Sequence, residues 1–241
     1  MPIIDTAAFH SETFRMVHDK GGSQFRDLDV SDCTFDNCTL SGVTRPERMS
    51  RVSDVRLTDC SLVNSQLGPT VLEDVVVDGL QANALVLCWS FFLRRVRVRG
   101  RITSIKLNRA PAAMVSPAMQ AAFDEARAAF YAETDWALDL TQARFVATCE
   151  IGGVPLDLVR IDPESQAVVR RVDLPEPDAL AELREVAPWA HERITWFRDD
   201  VERDELLLVA PLAGKKARRE EALAGIAHLR RLGVARPEPA R

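Results

Sequence analysis

Four arginines stand at alternate positions, Arg95, Arg97, Arg99 and Arg101, within the stretch RRVRVRGRITSIKLNR at 94–109. On an extended strand that spacing lines all four up on one face and puts Val96 and Val98 on the other. Planar, permanently charged guanidinium forks at two-residue spacing can grip carboxylate or phosphate oxygens in pairs. Their counter-charge can be the chain's own acids, the acidic patch of a protein partner, or nucleic acid. No aromatic residue interleaves with them, which argues against single-strand stacking and puts nucleic acid last. The mixed, mostly acidic run 199–205 reads as a solvated helix face and is the natural internal partner.

Other candidate chemistry fails on spacing. His191-Glu192 opens a zinc-protease pattern, but Thr195 stands where the second histidine must be. Gly214-Lys215-Lys216 lacks the upstream glycine and the hydroxyl residue of a phosphate loop. Asp135 and Asp139 could approach each other, yet two carboxylates alone are as common on solvated faces as in hydrolases. The five cysteines, Cys33, Cys38, Cys60, Cys88 and Cys149, are odd in number and form no CxxC pair. Buried, reduced thiols are expected, with no metal, no cofactor and no catalytic constellation.

The elements that must position these groups follow an unusual rhythm. Apolar residues step by five at Phe25, Val30, Phe35 and Leu40, and again from Leu57 through Leu62, Leu67, Leu72, Val77, Ala82, Leu87 and Phe92. Pro46 lies in the polar interruption between the two runs. A period of five fits neither a helix nor a strand. It fits a chain that turns a corner every five residues, so that four sides close a coil of about twenty residues and successive coils stack at the strand spacing. No single coil can bury its apolar column, so several must stack.

At these residues the chain resembles the pentapeptide-repeat family, in which the centre is Leu or Phe and the residue two earlier is small. Cys33-Thr34-Phe35, Cys38-Thr39-Leu40, Cys60-Ser61-Leu62 and Ala143-Arg144-Phe145 carry the resemblance, which covers 23–107 and 138–151. It implies a right-handed quadrilateral β-helix. The sequence departs from the pattern where Asp or Asn is mostly missing just before the centre, and where Arg97 stands in place of a centre.

In 84–93 this phase turns Leu85, Leu87, Ser90 and Phe92 inward and leaves Val86, Cys88, Trp89, Phe91 and Leu93 outward. So apolar an outer face must be covered by the C-terminal helices or used as an interaction patch, which makes Trp89 and Phe91 candidate partner-binding residues. A homodimer through this face is one such use.

Ser116-Pro117 followed by Met119, Phe123, Ala126 and Phe130 predicts an N-capped helix from 117 to about 132, inserted before the repeat returns at 138–151. Later stripes at Leu180, Leu183, Val186 and Ala187, and at Ala190, Ile194, Phe197 and Val201, predict helices. A last helix runs from about Glu220 to Arg231, stopped at Gly233. Trp189 and Trp196 are expected as core anchors, and 235–241 as a frayed tail. The organisation read from this is a cap at 1–22, a β-helix at 23–109, an inserted helix at 110–135, returning strands at 136–174 and a helical region at 175–241.

Composition sets the function classes. A net charge of −5 with 46% apolar residues excludes a disordered chain and a basic nucleic-acid packer. The opening residues lack the flank and apolar run of a signal peptide, and the longest apolar run, 84–93, is about half a bilayer span, so a cytoplasmic protein with no membrane contact is expected. Abundant arginine and alanine with scarce lysine point to a bacterial gene of high G+C content. The leading expectation is a non-enzymatic protein–protein interaction module, whether scaffold, adaptor or immunity-type. The family resemblance implies an alternative, a DNA-mimicking modulator or protector of a type II topoisomerase. An enzyme whose site only the tertiary fold assembles is the third.

Overall fold

The computed structural model describes residues 2–201 and 203–236. Its corners are set by left-handed residues. Asp27, Asp32, Asn37, Asp54, Asp59, Asn64 and Asp74 all have φ between 49° and 56°. Asp and Asn tolerate that region because their short polar side chains bond locally. Each lies two positions after an apolar centre. The strand Ser50–Val63 therefore bends at Asp54 and Asp59 without losing its pairing. At the next coils one corner falls to Gly79 (φ 74°) and Gly100 (φ 72°). A Cβ on Gly79 would stand 2.4 Å from Asp59 Oδ1 of the coil before it, so a side chain there would have to displace that carboxylate at a left-handed corner.

These bent segments stack in parallel. The longest path of pairings runs through seven strands, from Ile3–His10 to Val159–Arg160, and a second parallel sheet of five strands forms another side. The chain comes back to the same column at a nearly constant interval. Arg56 pairs with Val76, 20 residues on, Val76 with Arg97 after 21, and Asp139 with Arg160 after 21. Two returns are longer. Gln24 pairs with Arg51 because a short turn at Pro46–Arg48 intervenes, and Arg97 pairs with Asp139 because a helix is inserted. The fold is thus mainly parallel β and solenoid-like. The segment expected as an N-terminal cap is itself a coil, paired along Ile3–His10 and Thr13–Arg15 with the coil above.

The five-residue rhythm slips first near Asn83, and the register shifts again between Arg97 and Ile102. Leu62 pairs with Ala82 but Leu67 with Cys88, so one extra residue enters around Asn83. Beyond it every side chain changes face, as a one-residue slip on a strand requires. Val86, Cys88, Phe91 and Leu93 are buried in the main core, while Leu85 and Leu87 face solvent. The inward phase expected for 84–93 is therefore inverted. Centres resume at Cys88, Leu93 and Val98, so Arg97 is not a centre.

Helix α1 (Pro117–Ala132) covers the side made by strands Thr70–Glu73 and Phe92–Arg94. Ser116 Oγ accepts a hydrogen bond from Met119 N at 3.2 Å, which caps it. Phe123 packs onto Val71 and Phe92, and Tyr131 Oη accepts a bond from Leu93 N at 3.2 Å. The inserted helix, not the C-terminal helices, thus covers this flank.

The C-terminal region is not wholly helical. Strand Gln166–Arg170 pairs antiparallel with Glu205–Val209 and Ala235–Arg236. Alternation gives this sheet two apolar faces. Val168, Leu207 and Val209 join the core of the stack, while Ala167, Val169 and Leu208 meet α2 (Ala181–Val186), α3 (Pro188–Asp199) and α4 (Lys216–Arg231). Gln166 Nε2 donates to Leu140 O at 3.0 Å across the seam. The run 199–205 is not a helix face: α3 ends at Asp199, and Glu205 begins a strand. Ala235–Arg236 of the expected frayed tail is a strand, and 237–241 lies outside the described residues. Among the described residues no helix is long and apolar enough to cross a membrane.

Candidate interaction face

The arginines occupy the outer side of strand Val96–Ile102 and the corner before it, with Val96 and Val98 in the core. Arg95 holds a corner at φ 54°, where earlier coils place Asp27, Asp54 and Asp74. A long side chain there is strained. Its guanidinium forks Asp74 of the preceding coil through Nε and Nη2, both at 2.7 Å, and reaches Asp135 at 3.5 Å. The Arg95 hydrogen bonds outweigh partial desolvation and hold the Asp74 carboxyl below the usual carboxylate range. Arg99 meets Asp78, again one coil back, at 2.8 Å. Two of the four arginines are thereby an internal ladder, paired with acids of the preceding coil and not with 199–205.

The other two face outward. Arg97 is exposed and lies over the Trp136 ring at 5.3 Å, with no carboxylate within ion-pair distance among the described residues. Arg101 donates to Ala213 O at 3.0 Å, a carbonyl of the C-terminal region. The stack adds neighbours that the linear sequence separates. Arg144 pairs in register beside Arg101, and Arg160 lies beside Asp139. Arg160 stacks on Trp136 at 4.1 Å and stands 4.0 Å from Asp139. Asp139 Oδ1 is engaged with Thr141, accepting from its amide at 3.0 Å and its hydroxyl at 2.7 Å. Trp136, half-buried between two guanidinium groups, gives a flat apolar centre to a cationic surface. Asp135 and Asp139 thus serve arginines and a turn, and do not meet as a catalytic pair.

Trp89 is half-buried and Phe91 lies inside the core. The surface expected for self-association shrinks to Leu85 and Leu87. Trp196 is largely exposed, while Trp189 packs against the helical core. All five cysteines are buried free thiols. Burial pushes Cys88 up to about 12, which leaves it a poor nucleophile at neutral pH. No three His, Cys, Asp or Glu side chains among the described residues are placed to share a metal ion.

Arg144, Arg160 and Trp136 were missed in the sequence because the inserted helix separates Arg101 from Arg144. The coil interval is the signal that finds part of the site: 21 residues before Arg95 and Arg99 stand Asp74 and Asp78. No protein-family model matches the chain. No curated protein matches it either.

Proposed function

We propose that the chain is a right-handed quadrilateral β-helix of the pentapeptide-repeat kind that acts as a non-enzymatic protein–protein interaction module. The return of the chain every 20–21 residues with left-handed corners at five-residue steps supports the first part. The second part rests on one observation. Arg97 and Arg160 are exposed on the Trp136 ring and Arg101 and Arg144 are exposed just past the Gly100 corner, with Arg95 and Arg99 paired to carboxylates of the preceding coil. Exposed arginine with a tryptophan is the composition of an interface centre, and the charge selects an acidic partner.

The DNA-mimic alternative needs a long acidic rod. The stack is seven strands deep, roughly 29 Å at the ordinary strand spacing, and its candidate face is basic. Inhibition or protection of gyrase in a supercoiling assay would restore that alternative.

The test is binding of a labelled polyglutamate peptide and of duplex DNA at rising salt, with the native chain and with Arg97→Glu/Arg101→Glu/Arg160→Glu. The reading predicts peptide binding that the variant loses while its unfolding midpoint is unchanged. Preferential DNA binding with a steep salt dependence would make the face a phosphate reader and overturn it.

A further inference from the structure

The stacked strands enclose a cavity of about 370 Å³. Among the described residues its walls are aliphatic, aromatic or cysteine side chains, apart from Asp19, Thr39, Ser65 and Gln66. The wall residues Leu57, Leu62, Leu67 and Val77 belong to mid-stack strands, yet they are only partly buried. Toward the far end the same core closes up, with Leu140 and Phe145 each 1% exposed. Well-packed interiors hold few voids larger than a water molecule, and this space is in the size range of ligand pockets. Its walls offer water almost no partners, so it is a poor place for water.

Shape narrows the occupant. Phe9, Val30, Leu57, Val77 and Val98 all line the cavity and lie one above another in register. Four strand steps span roughly 19 Å. The 370 Å³ is spread along that length, so the space is elongated, as an extended aliphatic chain is. At one end Val168, Leu207 and Val209 of the antiparallel sheet join the same buried core. The other reaches the first coil, where the wall residues Ile4 and Val17 are exposed to solvent. Among the described residues no cationic side chain lines the space. The carboxylate that does, Asp19, has both oxygens engaged by Gly21 N, Ser23 Oγ, Ser41 N and Ser50 Oγ. A charged head therefore finds no partner within, whereas an aliphatic tail recovers the contacts that the empty walls lack.

We propose that this cavity binds a single unbranched aliphatic chain, admitted past Ile4 and Val17 with its polar head left in water at the first coil. The source is either a free fatty acid or the acyl chain of a membrane lipid. The full chain is titrated with cis-parinaric acid, a fluorescent unbranched fatty acid, in buffer. In a parallel arm it is mixed with phosphatidylcholine vesicles carrying a pyrene-labelled lipid. Saturable binding of one probe per chain, displaced by palmitate and not by the rigid, ring-shaped cholate, is expected. Binding in buffer without extraction from vesicles assigns a free fatty acid, and extraction of the labelled lipid assigns an acyl chain. Leu62→Phe/Leu67→Phe and the milder Val77→Leu fill the space from opposite walls. Each should weaken the probe, the double variant by on the order of tenfold or more, without lowering the unfolding temperature, because they occupy existing volume. Absence of saturable binding to the native chain overturns the proposal. So does unchanged affinity in a filling variant that folds.

Discussion

At its C-terminal end the stack passes into an antiparallel sheet whose Val168 is 1% exposed, whereas at its first coil Ile3 is 56% and Val17 54% exposed. One end is finished by apolar burial that joins two cores through a single sheet. The other is fastened by polar contacts. Asp19 accepts from Ser23 Oγ at 2.6 Å, Ser50 Oγ at 2.5 Å, and the amides of Gly21 and Ser41 at 3.0 Å, tying the first coil to the next two. The contrast teaches that, among the described residues, satisfied polar groups hold the exposed coil where apolar burial holds the other end.

The largest expected effect comes from breaking the apolar end. Val168→Asp would bury a charge between the two cores and cost upward of about 4 kcal/mol, read by urea unfolding. Ile4→Asp, at the exposed end, should cost less than about 0.5 kcal/mol. Equal losses would erase the contrast.

Asp19→Ala comes next. It strips acceptors from buried hydroxyls and amides, each unsatisfied group costing roughly 1–3 kcal/mol, so a loss of about 2 kcal/mol is expected after water reaches part of the site. Burial pushes the Asp19 carboxyl up, but the bonds from Ser23, Ser50, Gly21 and Ser41 prevail and hold it below the usual range. Its folded-state pKa therefore lies below its unfolded one. The stability it confers is present above the ordinary carboxylate pKa, near 4, and is lost as pH falls through the folded value. The native chain should lose more stability than Asp19→Ala on acidification, as thermal unfolding at stepped pH will show.

A smaller effect separates the ends by dynamics. With fewer buried apolar contacts, the first coils open locally more often. Maleimide labelling followed by mass spectrometry should modify Cys38 before Cys149, which lies near the buried end and whose thiol burial pushes up. Labelling in the reverse order would place the weaker end at the cap. The smallest effects concern the arginines. Arg97→Ala should leave unfolding unchanged, and Arg95→Ala should shift it only slightly, because it breaks an exposed ion pair while relieving a strained corner.

Much of the parallel, solenoid-like stack was legible because its rhythm is a packing rule: Phe25 to Leu40 and Leu57 to Ala82 mark interior columns in plain order. The corner residues were missed, because the family pattern puts Asp or Asn just before each centre, whereas here they recur two positions after it, at Asp27, Asp54 and Asp74. The slip at Asn83 could not be read, since one extra residue in a loop leaves no mark except that the next apolar residues still look apolar in either phase. The strand Glu205–Val209 was hidden because its short apolar run, Leu206 to Val209, after an acidic stretch has no helical or alternating signature of its own. Of the site, the alternating arginines were visible, and pairing with Asp74 and Asp78 follows once the coil length is known. Trp136 and Arg160 join them only through the register across the inserted helix.

Affinity capture from source lysate after nuclease treatment tests the interaction-module reading most directly, with the native chain beside Arg97→Glu/Arg101→Glu/Arg160→Glu. The account predicts one discrete protein, acidic in its contact surface, that the native chain retains, the charge-reversed variant loses and added polyglutamate displaces. Retention of the same protein by both forms, or recovery of nothing but nucleic acid when nuclease is omitted, would contradict it.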